Sequence, residues 1–171
     1  MIWSDWCPIY ERILDDLGFD SDADERARDV LAELTSEFNC EELPDLEGAT
    51  VAVAGAAPTL EDDADLAADA DAVVAASTAA DRLAELGVGV DLVVTDLDGH
   101  PDAAVEFSRA GTPVAVHAHG DNVPALREHV PRFDDRYLLP TTQAEPNGPV
   151  RNPGGFTDGD RAAYLADALD A

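Results

Sequence analysis

The sequence predicts an α/β protein in three layers, with a mostly parallel sheet and an N-terminal helical segment. After residue 50, five short apolar stretches alternate with segments of helical pattern. The stretches are apolar throughout rather than at every second position, as in strands that are covered on both faces. Four of them end in polar or glycine-rich residues, where ligands bind in open parallel sheets.

The helical segment is predicted over residues 1–46, followed by an α/β catalytic domain over 47–171. Its first helix ends at Gly18, and a second begins at Ser21, a residue typical of helix caps. Pro44 ends the region. The apolar face of the second helix carries Val30, Leu31, Leu34 and Phe38.

The predicted strands of the α/β domain are, in order, "TVAVAG", "DAVVAAST", "VDLVVTDLDG", "TPVAVHAHGDN" and "RYLLPTT". A helical pattern follows each strand, and the first of these helices has Thr59 as its expected cap. The last segment, "GGFTDGDRAAYLADALDA", opens with glycines and becomes helical. This alternation is typical of a Rossmann-like sheet. Since such domains usually continue with another strand, we expect either that the fold finishes unusually here or that the chain is shortened at its C-terminus.

The composition constrains partners and surroundings. The 171 residues carry 37 acidic and 10 basic side chains, a net charge of −27, and every basic residue is Arg. Acids spread evenly along the chain, without Lys, favour a halophilic protein whose self-repulsion is screened by salt, and the alternative is an acidic protein of a mesophile. Nucleic acid is not an expected partner, because its phosphates require cationic contacts. No membrane span or signal peptide is predicted, which indicates the cytoplasm.

The motif "TDLDG" contains two alternating carboxylates, Asp96 and Asp98. In extended backbone they would point to opposite sides, but a turn at Gly99 can bring both near one ion. Carboxylates at a strand end are the hard oxygen ligands that Mg²⁺ prefers. The alternative is a polar turn that caps the helix beginning at Pro101.

The motif "VHAHGDN" follows the next strand and contains His117, His119, Asp121 and Asn122. A zinc site would need further ligands that the surrounding sequence does not provide. We favour Mg²⁺ held by Asp121, with the two histidines in contact with substrate or phosphate. The alternative for His117 is a histidine buried in the core with its hydrogen bonds satisfied.

Two glycine-containing turns are candidates for phosphate binding. "GAAPTLED" contains Gly55, Pro58 and Thr59 and can present backbone N–H groups to an anion, although a tight strand-to-helix turn explains it equally well. A P-loop is excluded because the chain has no Lys. "NPGGFTDGDRA" carries Thr157 and Arg161, which suit phosphate. The irregular loop 141–155 before it is either a lid or a surface loop.

Covalent catalysis is not favoured, because GxSxG is absent and neither Cys7 nor Cys40 has a basic neighbour in sequence. Acid-rich strand ends beside a loop with glycines and Arg predict Mg²⁺-assisted phosphoryl chemistry, in which positioning and charge neutralisation dominate.

The motifs "VAVAGAAPTLEDD", "VVTDLDG", "VHAHGDN" and "GGFTDGDRA", in this order, resemble the archaeal 6-hydroxymethyl-7,8-dihydropterin diphosphokinases of the MptE type. The resemblance covers most of the chain. It implies transfer of diphosphate from ATP to the hydroxymethyl group of a reduced pterin, with release of AMP, on the route to tetrahydromethanopterin or folate. It also implies dependence on Mg²⁺ and leaves room for a homo-oligomer.

The resemblance implies roles for particular residues. Asp96, Asp98 and Asp121 would bind Mg²⁺ with the ATP phosphates. The residues implied to position phosphate or pterin are His119, Asn122, Thr157, Asp158 and Arg161. One departure is "GAAPTL", where the family usually has a sequence closer to GPGPSL.

Three alternatives to this function stay open from the sequence. The first is a thiamine-type diphosphokinase, which performs the same chemistry on another alcohol. The second is a glycosyltransferase-like domain with a nucleotide sugar in the "DLDG" pocket. The third is a nucleotide-binding remnant without activity.

Overall fold

The computed structural model describes residues 1–171 as a five-stranded parallel sheet with seven α-helices. The strands are β1 Val51–Ala54, β2 Ala72–Ala76, β3 Leu92–Thr95, β4 Val114–Ala118 and β5 Leu138–Thr142. The helices are α1 Trp3–Leu17, α2 Ser21–Leu34, α3 Ala64–Ala68, α4 Ala79–Glu85, α5 Pro101–Ala110, α6 Val123–His129 and α7 Asp158–Asp167. The predicted α/β class is confirmed, and the sheet is entirely parallel.

The strands lie in the sheet in the order in which they occur along the chain, β1 to β5. Each crossover between neighbours therefore moves in the same direction, and right-handed crossovers place α3 to α6 on one face. These helices share a buried cluster with side chains such as Val73, Val93 and Val116. On the opposite face, α7 packs on Val74 and Val94 in a second cluster. The sheet thus lies between two helical layers, as predicted.

The edge strand β1 differs from the other strands in its burial. Every residue of β2, β3, β4 and β5 is buried, whereas β1 has one buried residue and Val53 is 42% exposed. Strands buried on both faces are continuously apolar, which explains why the sequence identifies them readily.

In the helical segment, α1 ends at Gly18 as predicted, whereas the start and the end of α2 differ from the prediction. Gly18 ends α1 in the left-handed conformation, with a φ of 71°. The cap of α2 is Asp20 rather than Ser21, and the helix ends at Leu34. The Thr35 hydroxyl donates to the Leu31 carbonyl at 2.8 Å, which replaces the next helical N–H.

Phe38 therefore does not continue the apolar face of α2. It is buried in the cluster on the α7 side of the sheet. Ala27 and Leu31 of α2 are buried in the opposite cluster, together with the strands. The segment 1–46 thus covers both faces of the sheet, and the domain boundary at residue 46 stays a prediction.

The helix after β1 begins later than predicted. Residues 58–63 form turns in which the Thr59 carbonyl accepts from the Asp62 and Asp63 amides, and α3 begins only at Ala64. Thr59 is therefore not its cap. None of the helices is both long enough and apolar enough to cross a membrane.

Candidate functional site

Three carboxylates meet where β3 ends and α7 begins. Asp96, Asp98 and Asp158 each place one oxygen within 4.8 Å of the other two. Asp96 and Asp98 follow β3 directly, and Asp158 is the first residue of α7. This is the carboxyl edge of the sheet, where ligands bind in parallel α/β folds.

The backbone at Leu97 brings Asp96 and Asp98 to the same side. Leu97 has a φ of 70°, in the left-handed region, and is only 3% exposed. Its amide donates to the Thr95 hydroxyl at 3.0 Å, and the Asp98 amide donates to the Asp96 carboxylate at 3.1 Å. The left-handed residue breaks the alternation of an extended strand, so the two side chains converge.

Gly99 is required by a close approach to the loop after β2. A Cβ at this position would lie 2.7 Å from Cγ2 of Thr78 and 2.9 Å from Oγ of Ser77. The glycine of "TDLDG" thus allows the loops after β2 and β3 to pack together behind the carboxylates.

The carboxylates carry charge that the surrounding side chains only partly balance. Burial, together with the charge of Asp96, raises the pKa of Asp158 to about 6. Burial and the charge of Asp96 likewise raise the pKa of Asp98. Burial opposes ionisation of Asp96 too, but hydrogen bonds from His119 and the Asp98 amide lower its pKa to about 2. Three hard oxygen donors with excess negative charge suit a divalent cation.

His119 lies between two carboxylates. Its Nε2 is 3.3 Å from Asp96 and its Nδ1 is 3.1 Å from Asp121. Burial favours the neutral ring, but the hydrogen bond and charge of Asp96 and the charge of Asp121 prevail and raise the pKa of His119. A charged imidazolium at this edge can hold an anionic group.

The structure does not bring Asp121, a predicted metal ligand, into the group of three carboxylates. Its side chain is 92% exposed and contacts the far nitrogen of His119. The preceding residue, Gly120, docks on α2 and donates to Asp24 at 2.6 Å, which directs the turn away from β3. Asp158, predicted only as a phosphate- or pterin-positioning residue, completes the group instead.

Asn122 joins the loops after β3 and β4. Its amide nitrogen donates to the Asp96 carbonyl at 2.9 Å and to the His117 carbonyl at 2.7 Å, and its oxygen accepts from the His119 amide at 3.1 Å. The residue is buried. These bonds hold the two loops in register, so Asn122 acts on the site by fixing backbone.

Arg161 is the buried cation of the site. Its Nη1 lies 2.8 Å from Asp158 and 4.0 Å from Asp96, and its Nη2 donates to Gln143 at 3.0 Å. Burial lowers the pKa of Arg161, against the opposing charges of Asp158 and Asp96. Gly155 allows the loop before α7 to pack closely against Arg161, since a Cβ at residue 155 would lie 2.6 Å from the Arg161 backbone.

The residues at this sheet edge lie within the part of the chain that matches a known protein family. The family model described as "6-hydroxymethylpterin diphosphokinase MptE-like" matches residues 27–171, which include all three carboxylates. The chain belongs to the MptE-like family. The matched range begins within α2 and leaves α1 outside it.

Curated relatives in the MptE-like family carry the name 6-hydroxymethyl-7,8-dihydropterin pyrophosphokinase. The protein of Pyrococcus furiosus is 42% identical over 100% of this chain and 74% of its own length. That of Methanothermobacter thermautotrophicus is 41% identical over 99% of this chain and 73% of its own length. That of Methanocaldococcus jannaschii is 31% identical over 97% of this chain and 74% of its own length.

The other predicted site residues of this MptE-like chain lie in three different settings. His117 is 1% exposed, and its Nδ1 lies 3.1 Å from the hydroxyl of Thr141, which itself donates to the Val116 carbonyl. Nδ1 therefore carries the proton, and burial holds the pKa of His117 well below its usual value. His117 is thus a neutral histidine buried between β4 and β5, but its Nε2 has no hydrogen-bond partner, so it differs from a core histidine whose hydrogen bonds are all satisfied.

Thr157 and the turn after β1 form no hydrogen bond with the three carboxylates, although Thr157 directly precedes Asp158. Thr157 is the exposed cap of α7 and forms a reciprocal capping box with Asp160. Gly55 and Thr59 line a separate cavity of about 540 Å³ beside β1 and α3, and Pro58 lies exposed between them. No hydrogen bond or ion pair joins this turn to the carboxylates, and Arg82 instead binds the Ala56 and Ala57 carbonyls.

A cavity of about 330 Å³ adjoins His119 on the α2 side of the site. Sequence reasoning missed two of its polar residues, Asp24 and Gln143. Asp24 has the pattern of an ordinary first-turn acid of a helix, and Gln143 follows β5 without any motif, so no local signal marks either. The lining comprises Phe19, Asp20, Ala23, Asp24, His119, Gly120, Asp121, Gln143 and Phe156.

Proposed function

We propose that this protein is a 6-hydroxymethyl-7,8-dihydropterin diphosphokinase, which transfers diphosphate from ATP to the pterin hydroxymethyl group and releases AMP. Its place in the MptE-like family and the name shared by three relatives support this activity. The observation that carries the chemistry is the group of Asp96, Asp98 and Asp158 at the carboxyl edge of the sheet. We expect the product to serve tetrahydromethanopterin or folate biosynthesis.

Asp96, Asp98 and Asp158 are the residues that would hold Mg²⁺. Their oxygens lie close enough together to share one ion, and the raised pKa values of Asp98 and Asp158 reflect burial and then repulsion from Asp96, which a cation would relieve. When bound, the metal supplies charge neutralisation for the phosphates of ATP. We assign Asp121 the role of orienting His119, through the contact on Nδ1.

The positively charged side chains beside the three carboxylates would bind the phosphates of ATP. His119 approaches from the end of β4 and Arg161 from the first turn of α7, so positive charge flanks the carboxylates on two sides. Phosphoryl transfer requires the attacking and leaving oxygens in line and the developing charge neutralised. Side chains anchored by Asn122 and by the glycine loop before α7 provide that fixed geometry.

The reaction forms a bond between the pterin hydroxymethyl oxygen and the β-phosphorus of ATP. It breaks the bond from that phosphorus to the oxygen that bridges to the α-phosphate, and this oxygen leaves with AMP. The hydroxyl proton is released to water.

The test is AMP formation from ATP in high salt with Mg²⁺, with and without 6-hydroxymethyl-7,8-dihydropterin. We expect AMP and pterin diphosphate in equal amounts, dependent on the pterin. Thiamine is the control acceptor and should yield no AMP. ATP binding without pterin-dependent AMP would refute the proposed activity, and thiamine-dependent AMP would replace it with the thiamine-type reaction.

A further inference from the structure

The cavity beside the carboxylates combines apolar rings with buried polar groups. Its volume of about 330 Å³ falls within the range of about 300–1,000 Å³ that is usual for small-molecule sites. Phe19, from the α1–α2 junction, is 61% exposed although its ring is large and apolar. Phe156, from the loop before α7, also lines the cavity and is half-buried. Two aromatic rings with free surface suit a flat heteroaromatic ligand.

Asp24 places a carboxylate in the cavity wall at 5% exposure. Its Oδ2 accepts from the Tyr10 hydroxyl at 2.7 Å and from Gln143 at 2.8 Å, and its Oδ1 accepts from the Gly120 amide at 2.6 Å. A carboxylate has about four acceptor positions, so these bonds leave one on Oδ1. A buried anion fixed by three donors is preorganised to accept a further donor from a ligand.

The charged side chains that line the cavity indicate whether it binds the nucleotide or the acceptor alcohol. Asp20, Asp24 and Asp121 all line the cavity, and no Arg does. His119 is the one cationic group in this lining, and three carboxylates outweigh it, so a phosphate group would be repelled on balance, whereas a ring edge that carries N–H groups would be attracted. The cavity therefore favours the acceptor alcohol over the nucleotide.

The cavity and the carboxylate group are connected through shared residues. Gln143 donates to Asp24 and accepts from Arg161, which binds Asp158. His119 lines the cavity and also contacts Asp96. A ligand in the cavity thus lies directly beside the group that would bind the phosphates.

We infer that this cavity binds the pterin ring, and that Asp24 is the specificity-determining residue that accepts from the ring's 2-amino pyrimidinone edge. The inference rests on the proposed function. That edge carries neighbouring N–H donors, and the 6-hydroxymethyl group projects from the opposite end of the ring system. Pairing the 2-amino donor with the free position on Asp24 Oδ1, between Phe19 and Phe156, directs the hydroxymethyl group toward His119 and the carboxylates. The α1–α2 junction is then part of the substrate site.

Binding of 6-hydroxymethyl-7,8-dihydropterin, measured by calorimetry without ATP, tests this assignment. Asp24→Asn should weaken pterin binding by at least about tenfold, as expected for loss of a charge-assisted hydrogen bond. The affinity for Mg²⁺-ATP, measured separately, should not change. An analogue without the 2-amino group should bind wild type and Asp24→Asn equally, because it lacks the donor that Asp24 reads.

Phe19→Ala provides a second variant, since a side chain that is 61% exposed contributes little to folding. It should weaken pterin binding several-fold and leave ATP binding unchanged. The matched control is Leu17→Ala in the same segment: Leu17 is 53% exposed and does not line the cavity. This control should bind both ligands as wild type does.

The outcomes distinguish the inference from the activity on which it rests. Unchanged pterin affinity in both Asp24→Asn and Phe19→Ala would overturn the inference. A parallel loss of pterin and ATP affinity in Asp24→Asn would also overturn it, because that pattern indicates a structural role. Wild type that binds pterin but forms no AMP would refute the diphosphokinase activity alone.

Discussion

Leu97 is the residue that makes one site from two alternating aspartates. A branched side chain at a φ of 70° is strained, by about 1–3 kcal/mol for residues in such regions. Nearly complete burial of the side chain offsets this strain, since burying a Leu contributes about 1.5–3 kcal/mol. The buried side chain of Leu97 thus fixes the positions of Asp96 and Asp98 on either side of it.

A comparison of Asp158→Asn with Asp121→Asn tests which aspartate completes the proposed metal site. We expect Asp158→Asn to lower Mg²⁺-dependent turnover by at least about a hundredfold, since even outer partners of metal ligands cost about 10–100-fold. Asp121→Asn should cost less than about tenfold, because its 92% exposed side chain acts only through His119. Turnover measured across a Mg²⁺ titration provides the check. The reverse order of effects would restore Asp121 as the ligand.

Asp158→Asn should lose activity without losing the fold. The pKa of Asp158 is raised to about 6, so the charge that Asp158 carries at neutral pH lowers the stability of the folded chain relative to the unfolded chain. Asn removes that charge and keeps an oxygen for Arg161. The melting temperature in metal-free buffer should therefore stay near that of wild type.

Gly155→Ala tests the close approach between the glycine loop and α7. At a φ of 93°, with a Cβ only 2.6 Å from the Arg161 backbone, alanine should cost about 2 kcal/mol or more. That corresponds to a fall of about 4–8 °C in melting temperature for a chain of this size. Gly159→Ala is the control within α7, with nothing within 4 Å of its Cβ, and should be neutral or slightly stabilising. Equal melting temperatures for the two variants would contradict the packing argument.

At the scale of elements, the site depends on how the strand-end loops are joined. The loops after β3 and β4 belong to neighbouring parallel strands, and Asn122 bonds the backbone of both. The pattern "HAHGDN" indicates a polar strand end, and the residues Asp96, Asp98 and His119 are indeed brought together. The sequence cannot show that Asn122 faces the backbone, because this depends on the spacing between two strands.

Asn122→Ala should disrupt this junction. It would leave the carbonyls of Asp96 and His117 and the amide of His119 without their partner, at a cost of about 2–4 kcal/mol in unfolding free energy. Turnover should fall as well, because Asp96 and His119 lose their relative positions. The control is Asn147→Ala, an exposed residue whose amide contacts only Asp29.

Denaturant unfolding measures the stabilities of both variants. Asn147→Ala is expected to stay within about 0.5 kcal/mol of wild type, as surface substitutions usually do. A stable and fully active Asn122→Ala variant would contradict the role assigned to Asn122.

At the scale of the whole molecule, the large negative net charge is the main influence on folding stability. With 37 acidic and 10 basic side chains, most carboxylates have no cationic partner even though several Arg are paired, as Arg82 is with Glu61. Unpaired like charges repel one another over about 10 Å at 0.1 M salt but over only about 3 Å at 1 M. The folded state of this chain is therefore expected to depend on salt.

Thermal unfolding in increasing KCl tests the halophilic interpretation. The melting temperature should rise by about 10 °C or more between dilute buffer and molar KCl, as a stabilisation of several kcal/mol would produce. The physical reason is screening of the net charge of −27. Full stability in dilute buffer would contradict a salt-adapted protein.

The sequence by itself determined the class of fold, the order of strands and helices along the chain, and the strand ends at which polar chemistry collects. These features follow from local periodicity and from the continuous apolar pattern of strands buried on both faces. Only the tertiary structure decided that Asp158 rather than Asp121 joins Asp96 and Asp98, and that Asp24 from the helical segment faces the same site. These residues lie far apart in the chain, and their meeting depends on how α2 and α7 pack against the sheet.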